Sequence, residues 1–351
     1  MPGSSVWIPT GPARYNSLEV TKPRLILFYH VEKTGGTAVM KWLHKMANNK
    51  TQQEPRLTML MDFTHTSCFF AIHSDLFPGY RDMWEPQRCS AAVRPKWHQA
   101  SLAVEFHAYS KRRFWEELVP RLPALRRMYA QANGTLLTLA TFREPQSHIL
   151  STYRMWPPSR RCKCGGSQVA KHAVALPEWL PRAVGLQAGS LTLDSWPHAR
   201  KGFHNLRGCA VLPAGRARLQ TFDVVGVMDC MHSYLSEVCR ALEWPCSRDA
   251  DRMRLALKQS LKFKPHGVSK GGSMMRGAAA WGNFHSLNAS TRQGVLDAAK
   301  CDRDLYHDAI RRMGLDPSAT LSDRRLNASL CGTAMYVRPQ LAAEHSRRNH
   351  L

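Results

Sequence analysis

Residues 25–43 read LILFYHVEKTGGTAVMKWL, and this stretch decides the fold. Residues 25–29 are a short apolar run that ends at a glycine-containing turn, as a buried β-strand does. Beyond Gly35 and Gly36, apolar residues at positions 39, 40, 43 and 46 share one helical face, and Thr37 is placed to act as the N-cap. The stretch therefore predicts a strand, a tight loop and a helix.

The loop between this strand and helix has the chemistry of a phosphate cradle. Glycines let the backbone approach a ligand closely, and a helix N-terminus offers free N–H groups and the positive end of a dipole. Lys33 adds a mobile positive charge for a phosphate or sulfate oxygen, while Thr34 and Thr37 add hydroxyl groups. The nucleotide-kinase pattern GxxxxGK[ST] is not matched, because Lys33 precedes the glycines. The alternative is an ordinary turn that Gly35 and Gly36 only shape.

A second strand–turn–helix follows about 110 residues later. Residues 136–142 (LLTLATF) predict a buried strand, and residues 146–155 predict a helix that ends at Pro157. Arg143 stands at the end of this strand, where its guanidinium can fork onto a phosphate, and Ser151 lies two helical turns beyond Glu144. The alternative is that Arg143 pairs with a neighbouring carboxylate such as Glu144.

A third candidate strand, residues 101–106, ends at His107. The ordinary pKa of histidine lies near neutral pH, so His107 suits a general base that takes a proton from a hydroxyl. Glu105 is the second candidate, as a base or as an orienting carboxylate. The chain has 16 histidines, and His65, His73 and His98 lie in the same interval, so only geometry can establish the base.

The rest of the chain continues the alternation of strands and helices. A strand is predicted over 223–227 and helices over 232–242 and 291–313, whereas helical pieces over 114–128 should be broken by Pro120 and Pro123. Residues 157–215 are rich in Pro, Gly, Trp and basic residues, which predicts a loop-rich insertion. This order favours an α/β domain with a central parallel sheet flanked by helices.

The chain of 351 residues is strongly basic, with 49 Lys and Arg against 26 Asp and Glu, a net charge of +23. Such a balance favours anionic partners such as acidic glycans, nucleic acid or phosphorylated cofactors, although net charge alone specifies no ligand. No long basic tail is present, so a nucleic-acid-binding arm is not indicated. The alternative is an arginine-rich surface without a specific partner.

Cysteines and sequons favour an oxidising compartment. There are ten cysteines and no CxxC pair, which favours disulfides over a zinc or thioredoxin-like site, with the pairing left open. Four N-x-Ser/Thr sequons point the same way, beginning at Asn49, Asn133, Asn288 and Asn327. Residues 1–22 are a polar leader without the apolar region of a signal peptide. We expect either a non-secretory protein or, as the favoured reading, a chain that lacks its native N-terminus.

The two strand–turn–helix motifs together resemble a known family. The stretch HVEKTGGTAVMKWL is similar to the 5′-phosphosulfate-binding loop of Golgi-type carbohydrate sulfotransferases, especially the branch that sulfates heparan sulfate at the 6-O and 2-O positions. The stretch from Arg143 to Tyr153 resembles that family's R-[DE]-P-x(5)-S-x-Y/F element, which binds the 3′-phosphate of adenosine. The resemblance covers roughly residues 24–313, whereas residues 157–215 and 250–282 match no part of the family pattern.

The resemblance implies a fold, a reaction and a site. It implies a P-loop-like sulfotransferase domain over residues 23–335, followed by a tail over 336–351, and transfer of a sulfuryl group from 3′-phosphoadenosine-5′-phosphosulfate (PAPS) to a carbohydrate hydroxyl. The implied donor-binding residues are Lys33, Thr34, Gly35, Gly36, Thr37, Arg143 and Ser151. His107 is the implied base, with Glu105 second, and Lys33 also stabilises the leaving group; no metal is implied.

The acceptor is expected to be a glycan or glycolipid, with an acidic polysaccharide as one candidate, and the expected compartment is the Golgi lumen. No nucleic-acid partner is expected, and the oligomeric state is left open. Three alternatives stay open at this point: a P-loop-type kinase for a small molecule, a non-catalytic polyanion-binding protein, and a sulfotransferase that modifies protein tyrosine.

Overall fold

Five parallel strands form the centre of the molecule, seen in a computed structural model that describes residues 22–47, 57–60, 62–83, 101–107, 110–155, 174–192, 195–198, 202–205, 208–244, 284–320 and 331. Their order across the sheet is β2-β3-β1-β4-β7. A separate antiparallel hairpin pairs β5 with β6. The strands are β1 (Arg24–Tyr29), β2 (Leu57–Leu60), β3 (Ser101–Phe106), β4 (Thr135–Phe142), β5 (Ser195–His198), β6 (Gly202–Asn205) and β7 (Val224–Val227). The predicted α/β class with a central parallel sheet is confirmed.

Helices cover both faces of this sheet. Short 3₁₀ turns occur at Pro78–Met83, Leu180–Arg182, Gly208–Val211, Met228–Cys230, Phe284–Ser286 and Pro317–Thr320. The α-helices are α1 (Gly36–Ala47), α2 (Asp62–Ile72), α3 (Ser110–Arg113), α4 (Val119–Gln131), α5 (Pro145–Met155), α6 (Leu176–Trp179), α7 (Leu186–Thr192), α8 (Leu212–Leu219), α9 (Met231–Ala241) and α10 (Ala289–Arg312).

The central strand β1 divides the core into two layers. Leu25, Leu27 and Tyr29 join one cluster of buried side chains, whereas Ile26 and Phe28 join the cluster on the opposite face. Alternate side chains of a strand point to opposite faces, so a strand covered on both sides is apolar throughout. This explains why residues 25–29 form an uninterrupted apolar run.

The parallel register aligns the ends of the three middle strands. Tyr29 at the end of β1 lies opposite Phe106 of β3 and Ala140 of β4. The backbone N–H of His30 continues the pairing by donating to the carbonyl of Phe106, at 3.0 Å. The segments that follow these strands therefore leave the sheet at one edge, where open α/β sheets bind their ligands.

The two prolines near residue 120 do not break their helix, contrary to the sequence prediction. A π-helical turn at Phe114–Leu118 joins α3 to α4, so helical backbone continues over residues 110–131. Pro120 falls in the first turn of α4, directly after the π-helical turn. Pro123 lies inside α4, and the buried Leu122, Leu125 and Tyr129 hold this helix against the core.

Helices also fill part of the stretch that the sequence predicts to be loop-rich. Within residues 157–215, α6, α7 and the first half of α8 are helical, and Leu186–Leu191 are buried. Trp179 is fully buried in a third apolar cluster against α10. Residues 1–21 of the leader predicted over 1–22, the tail over 336–351 and residues 245–283 lie outside the described residues.

Disulfides connect the later helices. Cys209 pairs with Cys301, and Cys230 pairs with Cys331, each with a Cα–Cα distance of 5.3 Å. The predicted use of cysteines in disulfides is confirmed for these four residues. Disulfides of this kind persist in secreted and luminal proteins. Within the described residues, no helix is both long and apolar enough to cross a membrane.

We expect the fold to lose stability between pH 7 and pH 5. Burial lowers the pKa of His73 and of His148 to about 4, whereas an unfolded histidine titrates near 6.5. The unfolded chain therefore takes up more protons in this interval, so stability that is present above pH 6.5 is lost as the pH falls toward 4. Calorimetry at pH 7 and pH 5 measures the melting temperature at each pH. The drop in melting temperature should be smaller in His73→Gln than in His285→Gln, the control at an exposed histidine. A melting temperature that rises from pH 7 to pH 5 would contradict it.

Candidate active site

The loop after β1 is a strained turn that feeds directly into α1. Lys33 has φ of 63° and Gly35 has φ of 94°, both in the left-handed region. The helix begins at Gly36, and the amide of Ala38 already donates to the carbonyl of Gly35 at 2.8 Å. Thr37 is therefore inside the first turn and is not the N-cap, which corrects the sequence prediction. The first amides of α1 leave an anion-binding N-terminus at the sheet edge.

Gly36 is required because the ring of His30 packs against it. A Cβ atom built on Gly36 would lie 2.1 Å from both Cδ2 and Nε2 of His30. Gly35 is constrained twice, since its φ is positive and its Cβ would lie 2.7 Å from Cε of Met231. The two glycines thus fit the loop between the end of β1 and the start of α9.

We expect Gly36→Ala to disturb the site and the fold together. The added methyl group displaces the His30 ring, and overpacking of this kind costs about 1–3 kcal/mol of unfolding free energy. Gly79→Ala is the matched control, because nothing lies within 4 Å of the position of its Cβ. Chemical denaturation of both variants gives the comparison. Equal stability of the two variants would show that the His30 ring moves aside without cost.

The two threonines of the loop have different surroundings. Thr34 is fully buried, and its hydroxyl donates to the carbonyl of Val31 at 2.7 Å and lies 3.1 Å from the hydroxyl of Thr141. The Thr34 side chain therefore fixes the loop to the end of β4. Thr37 is exposed at the start of α1, so its hydroxyl is the one of the pair open to a ligand.

Arg143 lies against the same loop, 110 residues away in sequence. Its guanidinium donates to the carbonyl oxygen of Lys33 at 3.3 Å. The neighbouring carboxylate of Glu144 caps α5, accepting from the amides of Gln146 at 3.0 Å and Ser147 at 2.7 Å. Glu144 is thus occupied by its own helix, and the sequence alternative of an Arg143–Glu144 pair is not the arrangement seen.

The backbone of Arg143 is held by a buried amide side chain. Gln187 of α7 accepts from the Arg143 N–H at 2.9 Å and donates to the Arg143 carbonyl at 2.9 Å. The backbone amides of Gln187 and Ala188 in turn donate to Asp302 of α10, each at 2.9 Å. Burial raises the pKa of Asp302 to about 6 against the opposing effect of these amides. A chain of hydrogen bonds thus runs from α10 to the end of β4.

We expect Gln187→Met to weaken anion binding, although Arg143 and not Gln187 is the proposed anion-binding residue. The substitution removes the side-chain partners of the half-buried N–H and carbonyl of Arg143, and the loss of such hydrogen bonds costs about 1 kcal/mol each. The backbone from which the Arg143 guanidinium extends is then no longer held in place. Phosphate-ligand affinity and unfolding free energy should both fall, whereas Gln131→Met at an exposed position at the end of α4 should change neither. Unchanged affinity in Gln187→Met would show that Arg143 keeps its place without Gln187.

The two histidines at the strand ends stack on each other. The rings of His30 and His107 have centroids 4.6 Å apart and planes inclined by 28°. Nδ1 of His30 lies 2.6 Å from Oε1 of Glu105. Within the described residues, Glu105 bonds His30 rather than the predicted base His107. The Ser110 hydroxyl accepts from the backbone amide of His107 at 2.8 Å, which fixes the backbone after β3.

His107 is neutral at physiological pH. One face of its ring is against His30 while the residue as a whole is exposed. Burial of that face and the neighbouring His30 lower the pKa of His107 to about 4, against the opposing effect of Glu32. Burial disfavours the charge on Glu105. The hydrogen bond from His30 and the charge of His30 outweigh the effect of burial and hold the pKa of Glu105 below its ordinary value. The cluster therefore combines an ionised carboxylate with an unprotonated imidazole at an open edge.

A buried ion pair supports the loop from below. Glu32 and Lys111 are both nearly inaccessible and form a short ion pair, and Ser190 of α7 binds both of them, at 3.1 and 2.7 Å. Burial opposes both charges, yet Lys111 holds the pKa of Glu32 below its ordinary value. Lys111 belongs to a basic run in the sequence, but it is an internal residue that ties α3 and α7 to the loop.

Ser151 and a cleft lie on the α5 side of Arg143. Ser151 is half-buried in the middle of α5, six residues after the start of the helix. A cleft of about 610 Å³ opens between the start of α5 and α10, lined among others by Glu144, Gln146, Lys300 and Arg303. Its size is within the range of pockets for small ligands, and it adjoins Arg143 rather than the histidines.

The structure brings together Lys33, Gly35, Gly36, Arg143, Glu105 and His107 at one edge of the sheet. The sequence analysis missed His30, Gln187 and the Glu32–Lys111 pair. His30 had a usable signal, since a residue directly after β1 lies beside the residue directly after β3 once the two strands pair in parallel. Gln187 and Lys111 had no such signal, because each comes from a segment without a recognisable motif.

No protein-family model matches the chain, and no curated protein matches it at a significant level. What points to a function is therefore the set of side chains that meets at this edge. It offers cations and a helix N-terminus for an anionic group, and a neutral imidazole beside them for a proton.

Proposed function

We propose that this chain is an α/β group-transfer enzyme whose loop 33–37 and Arg143 bind a phosphorylated nucleotide. The observation that carries the proposal is the contact between the two motifs, in which the Arg143 guanidinium reaches the Lys33 carbonyl at 3.3 Å. The Arg143 guanidinium thus lies against the backbone of the loop that carries Lys33, beside the N-terminus of α1. That combination suits a ligand with more than one anionic group.

More particularly, we propose a PAPS-dependent sulfotransferase of the P-loop-like type. The order of the motifs supports this, with Lys33 ahead of the glycines and Arg143 followed by Ser151 at the spacing of the 3′-phosphate element. His107 between them supplies a base that a kinase of the GxxxxGK[ST] type does not need in this position. The acceptor is a hydroxyl of a carbohydrate, with an acidic polysaccharide favoured by the net charge of +23.

The residues of this chain divide the reaction between them. His107 takes the proton of the acceptor hydroxyl while the hydroxyl oxygen forms a bond to sulfur. The bond from sulfur to the phosphate oxygen breaks, and its electron pair stays on the phosphate. Lys33 and the first amides of α1 stabilise that negative charge, while Arg143 and Ser151 hold the 3′-phosphate. Positioning and electrostatics supply most of the rate enhancement in such a scheme.

The compartment that we propose is the lumen of the secretory pathway, with the Golgi as the site of glycan sulfation. The pairs Cys209–Cys301 and Cys230–Cys331 support it, since structural disulfides persist where the redox environment is oxidising.

Calorimetric titration with 3′-phosphoadenosine-5′-phosphate, the desulfated product of PAPS, tests the proposal. We expect tight binding by the wild type and a weaker response to ATP with Mg²⁺. Arg143→Ala should abolish most of the heat. Arg121→Ala, which removes the same charge from an exposed position on α4, should bind like the wild type.

Each other outcome identifies an alternative. Preference for ATP with Mg²⁺ would indicate a kinase. Salt-sensitive binding of heparin without nucleotide binding would indicate a non-catalytic polyanion-binding protein. If nucleotide binds as expected, transfer of labelled sulfate from PAPS to glycans or to tyrosine peptides distinguishes the acceptors.

A further inference from the structure

Three side chains form a connected group at the ends of β1 and β3, which we call the histidine cluster: His30, Glu105 and His107. Glu105 binds Nδ1 of His30 at 2.6 Å, and the His30 ring stacks on the His107 ring at 4.6 Å. The side chains of His30 and Glu105 are only 11% and 9% exposed. The buried pair thus stands behind His107, which is exposed.

The bond to Glu105 fixes which nitrogen of His30 carries a hydrogen. An ionised carboxylate only accepts hydrogen bonds, so Nδ1 of His30 must donate. Nε2 then lies on the opposite side of the ring, toward Gly36, where a Cβ would approach it to 2.1 Å. A ring held in this way has neither a free rotamer nor a free tautomer.

His30 therefore touches both halves of the candidate site. Its ring packs on Gly36 in the loop 33–37 and on His107 beyond β3. Its backbone N–H is bonded to Phe106, so the residue cannot shift along the sheet without breaking the strand register. The distance between the anion-binding loop and the base is set through this one imidazole.

The stacked arrangement excludes a direct relay of protons between the two rings. Stacked imidazoles present their faces to each other, whereas a proton passes along a hydrogen bond in the ring plane. His30 consequently acts on His107 by contact and by charge. The Glu105 carboxylate that His30 holds in place raises the pKa of His107 and so stabilises the positive charge that forms on that ring.

We propose that His30 is a positioning residue for sulfuryl transfer, which it serves by orienting His107 and by holding the Glu105 charge behind it. This inference rests on the proposed function. It assigns no bond-making step to His30, since the acceptor proton goes to His107 and the sulfur–oxygen exchange is unchanged. His30 should therefore affect turnover much more than nucleotide binding.

The test compares three variants. His30→Phe keeps the stacked ring and removes the bond to Glu105; His30→Asn keeps a donor for Glu105 and removes the ring; Glu105→Gln keeps the shape and removes the charge. We expect kcat to fall roughly 100-fold in His30→Phe, as for a misplaced catalytic group. The affinity for 3′-phosphoadenosine-5′-phosphate should stay unchanged in all three. His285→Gln is the control for an exposed histidine.

A second readout needs no turnover. Titration of His107 by NMR in the nucleotide-free protein, assigned with His107→Ala, reports the coupling itself. A charge on His30 lowers the pKa of His107 and the Glu105 carboxylate raises it. We therefore expect the pKa of His107 to rise in His30→Phe and to fall in Glu105→Gln. The other titratable groups around the cluster, Glu32, Lys111 and His44, remain the same in every variant.

The outcomes separate the two levels of inference. An unchanged His107 titration in folded His30→Phe and Glu105→Gln, or full turnover in His30→Phe, overturns the positioning role. Wild-type protein that binds no nucleotide overturns the proposed function, and the NMR titration still reports whether the cluster is coupled. If His30→Phe does not fold, Glu105→Gln and His30→Asn decide the question.

Discussion

Replacement of His107 by alanine is expected to lower kcat for sulfuryl transfer by about 100- to 10 000-fold, the usual contribution of a general base. The side chain stands exposed at the end of β3, so its loss removes the proton acceptor while the stacked partner His30 keeps its bond to Glu105. Nucleotide affinity and melting temperature should stay near the wild-type values. Steady-state transfer from labelled PAPS gives the measurement.

The pH dependence of kcat/KM distinguishes His107 from an ordinary exposed histidine. Because the pKa of His107 in the free protein is lowered to about 4, the base is unprotonated from pH 7 down to about pH 5. We expect kcat/KM to stay level over that interval and to fall only as the pH approaches 4. An acid limb near pH 6.5, or full activity in His107→Ala, would show that another group is the base.

Replacement of Lys33 by alanine is expected to lower kcat by about 100- to 1000-fold, the effect of removing one donor to a developing negative charge. Lys33 sits at the turn between β1 and α1 with a left-handed backbone, and Arg143 holds its carbonyl. The backbone that carries the ammonium group is thereby held in place. Affinity for the desulfated nucleotide should fall as well, which titration calorimetry records.

Lys41→Ala is the control for Lys33→Ala. It removes a lysine charge from an exposed position on α1, about one and a half turns after the helix begins at Gly36. Turnover of Lys41→Ala should match the wild type. Near-normal kcat in Lys33→Ala would mean that the amides of α1 and Arg143 stabilise the leaving group without the lysine.

The local elements of the site follow from the sequence because their signals are local. The apolar run of residues 25–29 predicts β1 to within one residue, and residues 136–142 predict β4 equally well. Buried parallel strands need apolar side chains on both faces, so they can be predicted from the sequence without any knowledge of their neighbours. The two glycines of the loop were likewise predicted from the sequence. In the structure, Gly35 has a positive φ, and the His30 ring leaves no room for a Cβ atom on Gly36.

Local signals misled where a contact elsewhere in the fold decides the outcome. Pro120 and Pro123 predict a broken helix, but a π-turn before α4 and its buried face keep the segment helical. Lys111 lies in the basic run 111–113, and lysine is almost never fully buried unless it is paired, yet the ion pair with Glu32 makes burial of its charge tolerable. In both cases packing outweighs the intrinsic preference of the residue.

The sequence by itself determined the strands β1, β3, β4 and β7, the glycine loop, Lys33, Arg143 and the candidates His107 and Glu105, because each is marked by a pattern within a few residues. Only the tertiary structure decided that Glu105 binds His30, 75 residues away, and that Gln187 holds Arg143, 44 residues away. Those contacts depend on the order of strands in the sheet and on the helices packed against its edge. Neither is encoded in the spacing of residues along the chain, since strand order is fixed by the burial of the whole domain.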